Sequence, residues 1–301
     1  MIKPEGIAAF LSPQERQNLN RLTLSSRYVV EGNLAGRHRS PNRGASTEFA
    51  DHRAYFPGDD PKRLDWKVLG RTDRYFIRRY QDETNLRVYL ILDRSGSMGY
   101  GSGSVTKYQY ACRLAAAIGY VILNSRDSVG LYIYAKTVDA AIGARNSFAH
   151  LNNLLKTLQH FKPGSDTDTA PVLHRVAEDV SRRALIVLIS DLFDQPAEVV
   201  KALAHFRKQH HDVIVFQTLD PMELDISNCK SAEFEDMENG EVVIADPRAL
   251  GDAYKREMVA FIEQYRQPCV EMNIDYRLVN TAQPVDIFVR AYLEERRRLS
   301  R

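Results

Sequence analysis

Asp93, Ser95 and Ser97 follow an apolar run in the stretch LDRSGSM, and their types and spacing could bind a metal ion. Alternate spacing lets one turn direct a carboxylate and two hydroxyl groups towards a single point. Gly96 permits the tight backbone that such a turn requires. Carboxylate and hydroxyl oxygens are hard ligands, which suit Mg²⁺, Mn²⁺ or Ca²⁺ better than zinc. The spacing therefore predicts part of a divalent-cation site.

Two later stretches could complete this site. PGSDTDTAPVL is a glycine-led loop that opens onto a predicted helix, and it offers Thr167 and Thr169 as ligands. ALIVLISDLFD is a second apolar run, which ends in Asp191. Ligands of an open α/β sheet bind beyond the carboxyl ends of its strands. We therefore expect Asp191 and the threonine loop to lie near Asp93.

The elements that must position these residues alternate between strand-like and helical patterns from Leu86 onward. Several apolar runs lack a polar face, which is typical of strands covered by helices on both sides. The alternation predicts a mostly parallel sheet with right-handed crossover connections. Asn239-Gly240, between two short alternating runs, predicts a hairpin at 232–245. The predicted strands occupy 86–92, 128–135, 183–190, 212–219 and 274–280, and the predicted helices occupy 107–124, 147–160, 170–182, 196–209, 247–267 and 284–298.

The sequence before Leu86 is less regular and more basic. Between positions 27 and 80 it carries 12 Lys and Arg residues against 7 Asp and Glu residues. Its Tyr, Phe and Trp side chains need burial, so we expect a small β-containing domain and not a disordered tail. The charges around Trp66 have two interpretations. They form a local ion-pair network while Trp66 anchors the block on the second domain, or they form a second contact surface for the partner or for a nucleic acid.

Composition excludes several classes of protein. The chain has 301 residues and a net charge of +2, so no overall field favours nucleic acid or an anionic membrane. The N-terminus lacks a signal peptide pattern, and the longest apolar stretch, 114–123, is about half of the roughly 20 residues that a membrane span requires. Cys112, Cys229 and Cys269 match neither a disulfide framework nor a zinc spacing. These features predict a cytoplasmic protein with reduced thiols and without a membrane span.

The sequence also argues against most enzyme classes. A phosphatase of the aspartyl-phosphate type would have a second aspartate at the position of Ser95. GYGSGSVTK lacks the phosphate-loop pattern, and no G-x-S-x-G elbow or H-E-x-x-H pair is present. A metal with an open position could still activate water, so a metal-dependent hydrolase is an alternative. A structural domain with a vestigial site is another.

The ordered set of DRSGSM, a loop threonine and a strand-end aspartate resembles the metal-ion-dependent adhesion site of von Willebrand factor type A domains. This resemblance implies a Rossmann-type, von Willebrand A-like α/β fold at 86–298. Leu192 stands where that family often has a glycine after the aspartate, and Thr169 is the alternative to Thr167 as the loop ligand. The ligands that the resemblance implies are Asp93, Ser95, Ser97, Thr167 and Asp191.

The upstream block HRSPNRGASTEFADHRAYFPGDDPKRLDWKVLGRTDRYFIRRYQDE resembles the domain of unknown function 58 family of prokaryotic proteins. Members of that family are von Willebrand A-like in their second half and are often encoded beside AAA+ ATPases of the MoxR type. The resemblance implies a family-specific block at 1–85, a metal-site domain at 86–298, and an adaptor or chaperone-like role with such an ATPase.

The expected ligand set suits binding better than catalysis. Mg²⁺, the cation we expect first, requires about six ligands, and Mn²⁺ or Ca²⁺ are alternatives. Five protein ligands leave one position for water or for the carboxylate of a partner. We therefore expect a metal-dependent protein–protein interaction module and no catalytic residue. The expected partner is a protein that supplies an acidic residue, and neither nucleic acid nor a membrane is expected.

Overall fold

The computed structural model describes residues 6–20, 22–24, 49–56, 64–80, 86–164, 167–226, 232–235, 242–245 and 247–299. The described strands are β1 (Phe49–Ala54), β2 (Phe76–Tyr80), β3 (Arg87–Asp93), β4 (Ser128–Tyr134), β5 (Val138–Arg145), β6 (Leu185–Ser190), β7 (Asp212–Leu219), β8 (Ala232–Glu235), β9 (Val242–Ala245) and β10 (Asp275–Asn280). The described α-helices are α1 (Pro13–Leu19), α2 (Trp66–Thr72), α3 (Lys107–Asn124), α4 (Phe148–His160), α5 (Thr169–Asp179), α6 (Pro196–Lys208), α7 (Pro221–Leu224), α8 (Pro247–Glu271) and α9 (Val285–Leu299). Short 3₁₀ turns lie at Gly6–Ala9 and Ser97–Gly99.

The chain forms two compact units, and the larger one is discontinuous in sequence. It comprises Met1–Glu31 and Leu86–Arg301, whereas the smaller unit comprises Gly32–Asn85. The sequence patterns placed all of 1–85 in one N-terminal block. The structure differs because Leu11, just before α1, and Leu19, the last residue of α1, are buried in the same apolar core as the central strands.

The larger unit is built on a six-stranded sheet in the order β10-β7-β6-β3-β4-β5. Every neighbouring pair is parallel except β4 with β5, which pairs antiparallel at one edge. The predicted α/β class with a mostly parallel central sheet is confirmed. β5 was missed by the sequence patterns, because half of its residues are exposed or partly exposed Ala and Gly with little strand preference.

Helices cover both faces of this sheet. Successive residues of β6 enter different cores, since Leu185 and Val187 pack on one side and Ile186 and Leu188 on the other. The first core also contains residues of α3, α4 and α9, and the second contains residues of α5, α6 and α8. β6 is buried at every position, as expected of a strand that is covered on both faces.

The smaller unit contains the antiparallel pair β1 and β2 and the short helix α2. It is therefore β-containing, as predicted. The side chain of Asp65 caps α2 by accepting hydrogen bonds from the backbone N–H groups of Lys67 (3.0 Å) and Val68 (3.3 Å). The Trp66 side chain is 63% exposed.

Other predicted features are placed as follows. β8 and β9 pair antiparallel, as predicted for the hairpin, while Asn239 and Gly240 lie outside the described residues. Cys112 and Cys269 are buried free thiols, and Cys229 also lies outside the described residues. Among the helices that the structure describes, none is long and apolar enough to cross a membrane.

Candidate metal centre

Asp93 is the last residue of the central strand β3 and is 1% exposed. One oxygen of its carboxylate accepts a hydrogen bond from the backbone N–H of Ser95 at 2.7 Å. The other oxygen accepts the hydroxyl proton of Ser190 at 2.6 Å. Both donors are themselves buried, so the orientation of the carboxylate is set by the ends of two neighbouring strands.

Ser95 and Ser97 lie next to each other in the turn that follows β3. Their hydroxyl oxygens are 3.0 Å apart, within hydrogen-bond distance. The Ser97–Gly99 turn keeps the chain compact here, because the backbone N–H of Met98 donates to the carbonyl of Ser95. The alternate spacing therefore brings both hydroxyls to one side of the turn.

Asp191 follows β6, the parallel neighbour of β3, and is 1% exposed. Leu92 pairs with Ile189 in the sheet, so the two strands end at the same level. Burial and then the negative charge of Asp191 raise the pKa of Asp93, the hydrogen bonds from Ser190 and Ser95 oppose them, and the net pKa is about 7. Asp93 and Asp191 are thus close enough to interact electrostatically in the interior.

Leu192, directly after Asp191, adopts the left-handed conformation that glycine adopts most readily. Its φ is +60°, which is strained for a branched side chain. Its N–H donates to the Ser190 hydroxyl at 2.9 Å, and its carbonyl accepts from the Tyr265 hydroxyl at 2.8 Å. These two bonds hold the turn that aims Asp191, although leucine is a poor residue for it.

The loop before α5 is held beside the turn after Asp93. The N–H of Gly164 donates to the carbonyl of Arg94 at 3.1 Å, and the Arg94 guanidinium donates to the carbonyl of Gly164 at 3.0 Å. Thr167 follows in this loop, and Thr169 begins α5. Ser165 and Asp166 lie outside the described residues.

The Thr167 hydroxyl is buried without a hydrogen-bond partner, and the buried hydroxyls of Thr169 and Tyr134 face only each other and Ser190. Tyr134 ends β4 beside β3, and burial, followed by the charge of Asp93, raises the pKa of its hydroxyl. A buried hydroxyl without a partner costs about 1–3 kcal/mol. A hard cation would give such oxygens a partner, so these residues fit a divalent ion that binds oxygen.

No group of three or more His, Cys, Asp or Glu side chains that could hold a metal occurs in the described part of the chain. The site that fits a cation here has two carboxylates and depends on hydroxyl groups for its other ligands.

Lys107 is a member of this site that the sequence patterns did not identify. Lys107 is the first residue of α3, and its side chain is fully buried. Its ammonium lies 2.7 Å from an oxygen of Asp191 and 2.5 Å from an oxygen of Glu223. It also lies 4.7 Å from the centroid of the Phe193 ring, a cation–π contact. The sequence does show a charged residue, Lys107, at the start of an apolar helix and a carboxylate, Glu223, after β7. No local pattern connects these two residues, so their pairing could not be predicted.

The opposing effects on this ion pair can be separated. Burial lowers the pKa of Lys107, but Asp191 and Glu223 outweigh burial and raise the pKa overall. Burial raises the pKa of Glu223, and Lys107 offsets only part of this rise. Lys107 is therefore charged, and it holds a cationic group directly against a predicted metal ligand.

Ser190 is a second residue that the sequence patterns missed. It is the last residue of β6 and links Asp93 to the backbone of Leu192. A serine that ends an otherwise apolar strand was the available signal. Its role depends on β3 and β6 being neighbours, which the order of elements along the chain does not specify.

Comparison with known proteins identifies proteins that are similar to this chain. Uncharacterized proteins of Mycobacterium tuberculosis and Mycobacterium bovis are 28% identical over 253 residues, which cover 82% of this chain and 79% of each relative. Among solved structures, the conserved hypothetical protein BatB from Bacteroides thetaiotaomicron is 15% identical, with a TM-score of 0.47 and coverage of 71% of this chain and 98% of BatB.

Two further solved structures are similar at lower scores. An aerotolerance-related membrane protein from Bacteroides fragilis is 16% identical, with a TM-score of 0.44 and coverage of 70% of this chain and 99% of that one. The manganese-loaded TRAP protein of Plasmodium vivax is 16% identical, with a TM-score of 0.33 and coverage of 44% and 56%. The family described as protein of unknown function DUF58 matches residues 51–261. Because this match spans more than half of the chain, the protein belongs to the DUF58 family.

Proposed function

We propose that this protein is a metal-dependent protein–protein interaction module in which a divalent cation at the end of β3 binds an acidic residue of a partner. The observation that carries the proposal is the Thr167 hydroxyl, which is buried without a hydrogen-bond partner in the loop held beside the turn after Asp93. Such groups are rare in folded proteins unless a ligand uses them.

The side chains divide by the charge that they would bring to the cation. Ser95, Ser97 and Thr167 would hold it through neutral hydroxyls. Asp93 and Asp191 would hold it directly or through water. Mg²⁺ is the first candidate, with Mn²⁺ and Ca²⁺ as alternatives, because all three prefer oxygen ligands. The bound cation would supply an electrophilic position that a partner carboxylate can enter as a charge-assisted ligand.

A MoxR-type AAA+ ATPase, or the client of such an ATPase, is the partner that we propose. The support for this partner is the family membership. Among the described residues of the site, the carboxylates are already engaged by hydrogen bonds. Both oxygens of Asp93 accept hydrogen bonds, and so do both oxygens of Asp191. This arrangement favours docking over hydrolysis, in which one carboxylate would have to take a proton from water.

Calorimetric titration tests the metal site first. Metal-stripped protein is titrated with Mg²⁺, Mn²⁺ and Ca²⁺, beside Asp93→Ala in the site and Asp179→Ala as the matched control. Asp179 lies at the far end of α5, in an exposed ion pair with Arg175. We expect Asp93→Ala to abolish binding and Asp179→Ala to preserve it. Equal binding by Asp93→Ala and wild type would refute the site.

Capture of the partner tests the docking role. The tagged protein is incubated with a purified MoxR-type ATPase, with Mg²⁺ or with chelator, and the bound ATPase is quantified. We expect capture that requires both Mg²⁺ and Asp93. Capture that survives chelator and Asp93→Ala would place the interaction on another surface.

A further inference from the structure

Lys107 already supplies a cation to the proposed metal site. Its ammonium contacts one oxygen of Asp191, and the other oxygen of Asp191 accepts the backbone N–H of Phe193 at 3.3 Å. A divalent ion that approaches Asp191 therefore meets a carboxylate already shared with a positive charge. The ammonium is fully buried, so water screens this encounter little.

Glu223 gives Lys107 a second carboxylate on the side of α7. One of its oxygens lies 2.5 Å from the ammonium, and the other accepts the backbone N–H of Asp220 at 2.8 Å. The Glu223 side chain is therefore held independently of Asp191. Lys107 can keep one charged partner when a metal draws Asp191 away.

We propose that Lys107 is an internal counter-cation that competes with the divalent ion for Asp191 and thereby sets the affinity of the site for metal. This inference rests on the proposed function, because it takes the metal to bind at the end of β3. With all three carboxyls ionised, Asp93, Asp191 and Glu223 would carry three negative charges against the one positive charge of Lys107, a formal balance of −2 that one divalent ion would neutralise. The ammonium weakens the hold of Asp191 on the metal and so leaves the metal more attractive to a partner carboxylate.

The experiment compares Mn²⁺ affinities of Glu223→Gln and of the double variant Lys107→Met with Glu223→Gln. Lys107→Met alone would leave two buried carboxylates without a counter-charge, which can unfold the protein. Glu223→Gln reduces this problem to Asp191 alone, next to the metal, and gives a matched pair that differs only at Lys107. Mn²⁺ binding is measured by calorimetry and by the loss of the free Mn²⁺ electron paramagnetic resonance signal, with thermal unfolding as the check of folding.

We expect Glu223→Gln to bind Mn²⁺ more weakly than wild type, because Lys107 then pairs with Asp191 alone. We expect the double variant to bind Mn²⁺ about tenfold or more tightly than Glu223→Gln, since a positive charge next to the ligand is gone. Lys107→Gln with Glu223 intact is the second variant, because its neutral amide can still donate to Asp191. It should bind Mn²⁺ more tightly than wild type.

Each result decides between the two proposals. If wild type binds Mn²⁺ and removal of Lys107 leaves the affinity within about twofold or weakens it, the counter-cation role is wrong and the proposed metal site stands. If wild type fails to bind and the double variant binds, Lys107 occupies the place of the metal, which supports the competition. If no variant binds Mn²⁺, both proposals fail.

Discussion

At the scale of single residues, the site is organised by hydrogen bonds that orient the carboxylates of Asp93 and Asp191. Ser190 is central, since its hydroxyl donates to Asp93 and accepts the N–H of Leu192. It thereby joins the predicted ligand on β3 to the strained turn that carries Asp191. One serine supports both carboxylates of the site.

We expect Ser190→Ala to lower the free energy of unfolding by about 1–3 kcal/mol, because an oxygen of Asp93 and the N–H of Leu192 lose a partner while buried. The same change should weaken Mg²⁺ binding, since the Asp93 carboxylate is no longer held. Urea denaturation and calorimetric titration measure the two effects. Ser181→Ala, at an exposed position, is the control and should change stability by less than about 0.5 kcal/mol. A Ser190→Ala protein as stable as this control would contradict the assignment.

At the scale of elements, α1 belongs to the larger unit through packing and through polar contacts. Arg113 of α3 pairs with Glu15 at 2.6 Å, and Asn18 donates to Asp286 of α9 at 2.8 Å. Leu19 is completely buried at the end of α1. Helix α1 is therefore a layer on α3 and α9, although more than sixty residues separate it from β3 in sequence.

Leu19→Ala should destabilise the larger unit by about 2–5 kcal/mol, because it removes buried methyl groups and leaves a cavity. Gln17→Ala, an exposed change on the same helix, is the matched control. Thermal unfolding followed by near-ultraviolet circular dichroism reports on the tyrosine-rich core of the larger unit. An unchanged transition in Leu19→Ala would mean that α1 contributes nothing to this core.

The position of the proposed cation site also follows from the arrangement of the strands and of helix α3. β3 and β6 are adjacent and parallel, so their carboxyl ends bring Asp93 and Ser190 to the same edge of the sheet. Lys107 arrives there because α3 begins immediately after the loop that follows the serine turn. The helix that crosses over from β3 thus delivers a positive charge to the same edge as the strand-end carboxylates.

At the scale of the whole molecule, stability depends on pH through groups far from the site. His211 immediately precedes β7, at the amino ends of the parallel strands and therefore opposite the cation site, and is 1% exposed. Burial lowers its pKa, and the charges of Arg183 and His205 lower it further, against hydrogen bonds with the backbone of Val180 and Ala184. The ring is therefore held neutral, with a nitrogen 3.1 Å from the N–H of Ala184.

A histidine whose pKa is lower in the folded state binds fewer protons there than in the unfolded chain. Its contribution to stability is complete above the unfolded pKa of about 6.5 and is lost as the pH falls through the folded value. We expect His211→Asn to reduce the fall in the free energy of unfolding between about pH 7 and about pH 5, because an amide oxygen can accept from Ala184 without titrating. Urea denaturation across this range measures the slope. The exposed neighbour His210, changed to Asn, is the control, and equal slopes in both variants would contradict the role of His211.

Much of this molecule follows from its sequence because the determining signals are local. The alternate spacing of Asp93, Ser95 and Ser97 is enough to predict hydroxyls that share one turn, and they lie 3.0 Å apart. Apolar runs such as LIVLIS predict buried strands, because side chains of a strand alternate between two faces that are both covered. These signals need no knowledge of distant parts of the chain.

Tertiary structure alone decided which distant groups meet. Lys107 and Glu223 are 116 positions apart, and no spacing rule relates them. The same holds for Ser190 with Asp93, for α1 with α9, and for the exposure of Trp66, which composition alone suggested would be buried. The reason is physical: periodicity acts along the chain, whereas charge pairing and burial depend on distances through space that only the folded sheet establishes.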